Sequence, residues 1–193
     1  MSISGVILSG GKNSRFGSNK AFVEFDGARI IDIALAAHAR RFAEVLIVTN
    51  EPDAYQGLDA RIVTDIHPNF GSLGGIYTGL WHASGEAVFV TACDMPFVDP
   101  AVMDLVLSRF EDVDIVVPRI DGYYEPLMAI YAKACLPHMA ASIEANIRQI
   151  IRFFPQVRVR EIPEADIRVV DPALRTFVNI NTREDLDRAL SPP

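Results

Sequence analysis

The first twenty residues constrain the fold more than any other part of the chain. A β-branched run, Ile3 to Leu8, leads directly into the paired glycines Gly10-Gly11. An apolar run that ends in glycines is typical of a buried strand followed by a tight turn. Three cations follow, Lys12, Arg15 and Lys20. Because glycine lets backbone N–H groups approach an anion closely, and cations neutralise its charge, the loop predicts a site for a phosphorylated ligand.

The glycine spacing argues against two common phosphate-binding loops. Gly11 and Gly17 are too far apart for a Walker A loop, and Ser18 stands where that loop needs lysine. The G-x-G-x-x-G pattern of dinucleotide-binding enzymes is missing because the first two glycines are adjacent. A dehydrogenase is therefore disfavoured. From this motif alone, a solvated loop with incidental charges stays an alternative.

The net charge of the chain limits the classes of partner that it can bind, and its cysteine content limits its metal and redox chemistry. The 193 residues include 25 acidic and 18 basic side chains, a formal net charge of −7. This balance argues against nucleic acid and anionic membrane surfaces as partners. We find neither a signal-peptide pattern nor a membrane-spanning apolar stretch, so a cytoplasmic protein is expected. Cys93 and Cys135 lack metal or redox spacing and are expected to be reduced, buried and structural.

Strand and helix patterns alternate through the first part of the chain. Short runs rich in Val and Ile, at 44–49, 61–64, 87–92 and 113–117, are separated by segments with helical periodicity. This alternation predicts a three-layer α/β fold with a mainly parallel sheet and helices on both faces. No internal repeat or linker is evident. Residues 1–193 are therefore expected to form a single domain.

The second half of the chain is less regular. Strands are expected over 123–131, 157–160, 168–170 and 177–180, the last of them buried. Thr182 and Asp185 have the spacing of a capping box for a last helix, 183–190. The four histidines are scattered and are expected on helix surfaces or in loops.

Aspartates follow two of the predicted strands. Asp94 comes directly after the apolar run 87–93, and Asp65 comes after the strand 61–64. Ligands of open parallel sheets bind at the carboxyl ends of the strands. An unpaired carboxylate there is costly, and Mg²⁺ would satisfy Asp94; the alternative is that Asp94 caps the next turn. For Asp65 the turn-capping role is favoured over a metal role.

The opening loop has the pattern L-x-G-G-x-x-x-R-[MF]-G-x-x-K, which resembles the signature of nucleotidyltransferases that activate small phosphorylated compounds. Four later stretches agree in order and spacing with the molybdenum cofactor guanylyltransferase family: 48–50, 65–76, 92–96 and 178–186. The resemblance spans nearly the whole chain. It implies a Rossmann-like nucleotidyltransferase fold and the transfer of GMP from GTP to molybdopterin, with release of pyrophosphate.

The resemblance also implies roles for individual residues. The catalytic residues would be Arg15 and Lys20, which hold the β- and γ-phosphates, and Asp94, which binds Mg²⁺ against the α-phosphate. The nucleotide would be bound by Leu8, Ser9, Gly10, Gly11, Lys20, Asn50, Asp65, Gly75 and Asp94. Asn179 and Asn181 would meet the pterin-side substrate; an Asx turn is the alternative for Asn181. Residues 1–118 would form the nucleotide-binding half and 119–193 the acceptor-binding half.

Five residues depart from the family pattern. Ser9 stands where alanine is usual, Phe16 replaces methionine, Asn19 replaces aspartate, Ser72 replaces proline, and Glu125 stands where His or Gln is common. None of these changes removes a catalytic group. Glu125 adds negative charge near the expected pterin site and so bears on the identity of the acceptor.

Other functions stay open at this point. A cytidylyltransferase or a sugar-phosphate nucleotidyltransferase would keep the chemistry and change the substrates. A non-catalytic nucleotide-binding partner or cofactor chaperone would be expected to have lost Arg15, Lys20 or Asp94, and all three are present. The expected ligands are therefore GTP and molybdopterin, with Mg²⁺ as cofactor and with other cofactor-biosynthesis or delivery proteins as further candidate partners.

Overall fold

The structure is a computed structural model, and it describes residues 2–10, 19–180, 182, 184 and 185. Its strands are β1 (Ile3–Ser9), β2 (Glu24–Phe25), β3 (Ala28–Arg29), β4 (Val45–Thr49), β5 (Arg61–Thr64), β6 (Ala87–Ala92), β7 (Ile115–Ile120), β8 (Tyr123–Tyr124), β9 (Met128–Ala132) and β10 (Val159–Pro163). Its α-helices are α1 (Ile30–Ala39), α2 (Gly71–His82), α3 (Pro100–Ser108), α4 (Leu136–Glu144) and α5 (Glu164–Val170).

One large sheet organises the described part of the chain. Its strand order is β10-β7-β9-β6-β1-β4-β5, with β8 paired to β7. β1 lies between β4 and β6 and is parallel to both, so that Ser9 is opposite Thr49 and Leu8 is opposite Ala92. β9 runs antiparallel to its neighbours β6 and β7. The prediction of a mainly parallel sheet is confirmed, and the carboxyl ends of β1, β4, β5 and β6 lie at one edge.

Helices cover both faces of this sheet. Side chains of α1, α3 and α5 pack with Ile7, Ile47 and Phe89 on one face. Side chains of α2 and α4 pack with Leu8 and Val48 on the other face. Consecutive strand residues point to opposite faces, so a strand buried on both sides needs an unbroken apolar run. This explains the continuous Val and Ile character of the strands and confirms the three-layer fold.

Helix α2 approaches β1 closely because two of its residues are glycines. A Cβ added at Gly79 would lie 2.7 Å from Cγ1 of Val6, and one added at Gly75 would lie 3.2 Å from Cδ2 of Leu8. A separation below 3.0 Å is not tolerated without movement. The glycines therefore bring α2 against β1, where the strand enters the opening loop.

Three expectations for the second half are wrong. The strand expected over 123–131 is divided into β8 and β9 by a turn, in which the Met128 N–H donates to the Glu125 carbonyl at 3.1 Å. The segment 168–170 is the end of helix α5, where Arg168 pairs with Glu164 one turn earlier at 2.6 Å. The segment 177–180 is not a strand: a 3₁₀ helix ends at Phe177, and Val178 is 42% exposed.

The predicted capping box at the C-terminal end is confirmed. The Asp185 N–H donates to the Thr182 hydroxyl at 3.1 Å, and the Thr182 N–H donates to the Asp185 carboxylate at 2.9 Å. Most of the predicted helix 183–190 lies outside the described residues. Among those described, no helix combines the length and the apolar character needed to cross a membrane.

Candidate active site

The carboxyl ends of β1, β4 and β6 surround a cavity of about 250 Å³, which we call the strand-end cavity. Five of the predicted site residues line it, namely Ser9, Gly10, Lys20, Asn50 and Asp94. The other lining residues are Asn19, Thr49, Glu51, Pro68 and Cys93. The parallel arrangement of the strands therefore brings together residues that lie up to 85 positions apart in the sequence.

Asp94 follows β6 and contributes a desolvated carboxylate to the strand-end cavity. Burial raises the pKa of this carboxyl, while the positive charge of Lys20 and a backbone N–H lower it. The Asp94 carbonyl accepts a hydrogen bond from the Ile180 N–H at 2.9 Å. Since burial disfavours the charged form, a cation close to the carboxylate would stabilise it.

Lys20 opens a short 3₁₀ helix, Lys20–Phe22, at the exit of the opening loop. Asn19 caps this helix, since its side-chain oxygen accepts a hydrogen bond from the Ala21 N–H at 3.1 Å. The charge of Lys20 lowers the pKa of both Asp94 and Cys93. An ammonium and a carboxylate thus act on the same small volume, as a site for a metal-bound phosphate requires.

A second cavity of about 280 Å³ adjoins the first, and we call it the helix-side cavity. Its lining includes three further predicted residues, Leu8, Asp65 and Gly75, and it shares Gly10 and Asn50 with the strand-end cavity. The strand-end cavity is therefore lined by several charged side chains, and the helix-side cavity next to it lies between β4 and α2. A nucleotide has the same division, since a charged phosphate chain is joined to a flat base.

Asp65 has a structural role in this second cavity. Its Oδ1 accepts hydrogen bonds from the His67 N–H and from the Thr78 hydroxyl, both at 2.9 Å. The Thr78 hydroxyl also accepts from the Ile66 N–H at 2.9 Å. The predicted turn-capping role is therefore confirmed, and these bonds fix the loop between β5 and α2.

The acceptor-side predictions are only partly covered by the structure. Asn179 is exposed and is adjacent in the chain to Ile180, which is hydrogen-bonded to Asp94. Glu125 is half-buried, and burial raises the pKa of its carboxyl. Gly11, Arg15 and Asn181 lie outside the described residues.

The donor set at Asp94 fits Mg²⁺. Among the described residues, no group of three or more His, Cys, Asp or Glu side chains is arranged to hold a metal ion. Mg²⁺ keeps several waters and binds proteins through one or two carboxylates together with substrate phosphates. A single half-buried aspartate that shares its cavity with Lys20 suits such an ion, whereas zinc would need more protein ligands.

Sequence reasoning missed several residues of the strand-end cavity. Thr49 is the last residue of β4, so its position could have been predicted from the strand pattern. Cys93 also lines the cavity, and burial raises the pKa of its thiol to about 11.

Burial raises the pKa of the Cys135 thiol to about 12, and that thiol donates to the Asp114 carbonyl at 3.5 Å. Both cysteines are free thiols, as predicted, but the prediction of a buried residue holds for Cys135 and is wrong for Cys93, which is half-buried and lines the cavity.

Comparison with known proteins agrees with this geometry. The profile of the MobA-like NTP transferase domain matches residues 5–161. The molybdenum cofactor guanylyltransferase of Desulfosudis oleivorans is 39% identical over 189 residues, covering 97% of this chain and 94% of the relative. A probable molybdenum cofactor guanylyltransferase of Natranaerobius thermophilus is 36% identical over 193 residues, with the same coverage.

A solved structure gives the same result. The crystal structure of molybdopterin-guanine dinucleotide biosynthesis protein A from Archaeoglobus fulgidus superimposes with a TM-score of 0.83 at 30% identity, and the match covers 96% of each chain. The family profile runs from within β1 to within β10 and includes the residues of both cavities, and the relatives align over nearly the full length. This chain therefore belongs to the MobA-like NTP transferase family.

Proposed function

We propose that this protein transfers GMP from GTP to molybdopterin, with release of pyrophosphate, and that the reaction takes place in the cytoplasm. One observation carries the proposal: Lys20 and Asp94 line the same strand-end cavity, and the adjoining helix-side cavity is placed where it could receive the base of the nucleotide. The relatives named as molybdenum cofactor guanylyltransferases support the choice of substrates.

The reaction needs charge neutralisation more than proton transfer. An acceptor phosphate oxygen attacks the α-phosphorus, and it is already ionised at neutral pH, so no general base is required. Lys20 holds the β- and γ-phosphates and neutralises the departing pyrophosphate, as does Arg15 in our prediction. Asp94 would hold Mg²⁺, which would stabilise the negative charge at the α-phosphate. The backbone N–H at Gly10 adds a donor.

The two halves of the chain divide the substrates between them. Residues 1–118 bind the nucleotide, with guanine in the helix-side cavity near Leu8, Asn50 and Gly75. Residues 119–193 bind the acceptor, with Asn179 and Asn181 on the pterin side. The bond between the Ile180 N–H and the Asp94 carbonyl supports this arrangement, because it brings the acceptor segment next to the metal-binding residue.

The first experiment compares nucleotides. Thermal unfolding is measured with Mg²⁺ and, separately, GTP, CTP, ATP or UTP, and pyrophosphate release is then measured with molybdopterin as acceptor. Ligand at one hundred times its Kd should stabilise by about 2.7 kcal/mol. We expect this effect, and turnover, with GTP only. A preference for CTP would replace the proposal by a cytidylyltransferase, and nucleotide binding without turnover would favour a non-catalytic partner.

Matched variants then test the residues. Asp94→Ala should abolish turnover, and Lys20→Ala should reduce its rate by about 100- to 1000-fold, as removal of a charge-stabilising donor does in other enzymes. Asp59→Ala and Lys133→Ala are the controls, because both residues lie at the opposite edge of the sheet. Near-normal Mg²⁺-dependent turnover in Asp94→Ala or Lys20→Ala would refute the mechanism.

A further inference from the structure

Tyr55 lies beneath the strand-end cavity and was not predicted as a functional residue. It ends the 3₁₀ helix Pro52–Tyr55, which follows β4 by two residues, and its side chain is fully buried. Its ring packs against Phe22, with 5.0 Å between the ring centroids. Tyrosine hydroxyls buried in this way need a hydrogen-bond partner. Thr49, at the end of β4, is one partner of this hydroxyl, and two others come from the two flanks of the opening loop.

The first partner from the flanks is Ser9, the last residue of β1. The Ser9 hydroxyl oxygen is 2.5 Å from the Tyr55 hydroxyl oxygen, and the two groups share a hydrogen bond. Ser9 immediately precedes Gly10, where the opening loop begins, and both residues line the strand-end cavity. The hydroxyl of Tyr55 therefore fixes the point at which the chain leaves the sheet.

The second partner from the flanks is Asn19, which immediately precedes Lys20. The Asn19 amide nitrogen donates to the Tyr55 oxygen at 3.0 Å and lies 3.2 Å from Oε2 of Glu51, to which it also donates. The Asn19 carbonyl oxygen accepts from the Ala21 N–H at 3.1 Å. This side chain is held from three directions, so the chain is fixed at the position next to the lysine.

Ser9 and Asn19 contact the same buried hydroxyl, across 46 residues of sequence in one case and 36 in the other. Both side chains are needed for this arrangement, because alanine at position 9 would offer no hydroxyl to Tyr55 and aspartate at position 19 could not donate to Glu51. The two residues are thus parts of one hydrogen-bonded unit.

We propose that Tyr55 is a positioning residue, which joins Ser9 to Asn19 and thereby holds Lys20 against the phosphate chain of the bound nucleotide. The proposal rests on the proposed function, in which Lys20 contacts the β- and γ-phosphates. Loss of the hydroxyl would leave Lys20 less well placed, so binding energy would be lost for a triphosphate but not for a monophosphate. Turnover would fall as well, because the departing pyrophosphate would be less well neutralised.

The test compares Tyr55→Phe with Tyr131→Phe. Tyr131 is also fully buried, and its hydroxyl donates to the Pro126 carbonyl at 2.8 Å, so the control removes a similar hydrogen bond away from both cavities. Binding of GTP and of GMP is measured by calorimetry with Mg²⁺. One hydrogen bond corresponds to about fivefold in an equilibrium constant, so Tyr55→Phe should weaken GTP binding about fivefold and change GMP binding less than about twofold. Tyr131→Phe should change neither.

A second measurement separates positioning from a structural role. In the Lys20→Ala background, Tyr55→Phe should have no further effect on GTP binding, because the group that it positions is gone. A purely structural role would lower the melting temperature and weaken GTP and GMP equally in both backgrounds, and this result would overturn the proposal. So would a Tyr55→Phe protein with wild-type GTP affinity and turnover.

Failure of the proposed function would look different. In that case the wild-type protein would show no GTP-dependent turnover with molybdopterin, while the selective loss of triphosphate binding in Tyr55→Phe would still support the positioning role. Absence of binding by GTP, CTP, ATP and UTP to the wild-type protein would overturn both proposals.

Discussion

Replacing His38 by glutamine should make the stability of this protein less dependent on pH. The sequence suggested a surface position for this histidine, but its side chain is fully buried on α1. Its Nδ1–H donates to the Ala34 carbonyl at 2.9 Å, and the Thr91 hydroxyl lies 3.4 Å from Nε2, to which it donates. Phe42 and Phe89 pack against the ring. Burial in these surroundings lowers the pKa of His38 from 6.5 to about 4.

The sign of the effect follows from which state binds the proton. Between pH 6.5 and about 4 the unfolded chain protonates His38 and the folded chain does not, so stability is lost as the pH falls. A pKa difference of about 2.5 corresponds to about 3 kcal/mol over the whole interval. Of this, about 2 kcal/mol should be lost between pH 7 and pH 5.

Urea unfolding at pH 7, 6 and 5 measures this loss directly. We expect the free energy of unfolding of the wild-type protein to fall about 2 kcal/mol more over this range than that of His38→Gln. Contributions of the carboxyl groups are common to both proteins and cancel in the difference. His38→Leu serves as a second variant, because leucine cannot titrate either. Only the pH dependence of the free energy of unfolding is compared, so a different absolute stability of this variant does not affect the test. If the free energy of unfolding had the same pH dependence in all three proteins, the conclusion that His38 is buried and neutral in the folded protein would be refuted.

Two further predictions concern the opening loop and its contact with α2. Asn19→Asp would put a second carboxylate against Glu51, 3.2 Å from the present amide nitrogen, so GTP binding measured by calorimetry should weaken by about tenfold. Glu51→Gln in the same chain should restore it, and a lack of rescue would contradict the pairing. Gly79→Ala should lower the free energy of unfolding by about 1–3 kcal/mol, because its Cβ would overlap Val6. Val6→Ala should relieve part of this cost, and an unchanged stability in Gly79→Ala would mean that α2 does not approach β1 so closely.

The sheet could be predicted from the sequence because burial on both faces leaves a strong local signal. A run such as 87–92, which is apolar apart from Thr91, has few alternatives to a buried strand, and the aspartate that soon follows it marks the strand end. Two such ends on parallel neighbours must meet at one edge. For this reason Gly10 and Asp94, which lie 84 residues apart, could be assigned to one site from the sequence alone.

The second half lacked this signal because its elements are short and half-exposed. Arg168-Val169-Val170 looks like a strand fragment, yet Val169 is 80% exposed and only Ile167 of α5 is buried. The helix is favoured instead by Pro163 before its first residue and by acidic residues in its first turn. The sequence of 177–180 suggested a buried strand, but in the structure only Ile180 of these four residues is buried, and its N–H donates to the Asp94 carbonyl.

The contact between Tyr55 and Ser9 could not be predicted, because it depends on two strands and not on one. It requires β1 and β4 to pair in the register that sets Ser9 opposite Thr49, so that the 3₁₀ helix after β4 comes beneath the end of β1. That register depends on how the side chains of β1 and β4 pack into the helical layers on the two faces of the sheet, and those helices come from distant parts of the chain. The hydrogen bonds that hold Lys20 are therefore a consequence of core packing several residues away. A substitution that disturbs the packing of β1 against β4 should impair triphosphate binding even though it touches neither cavity.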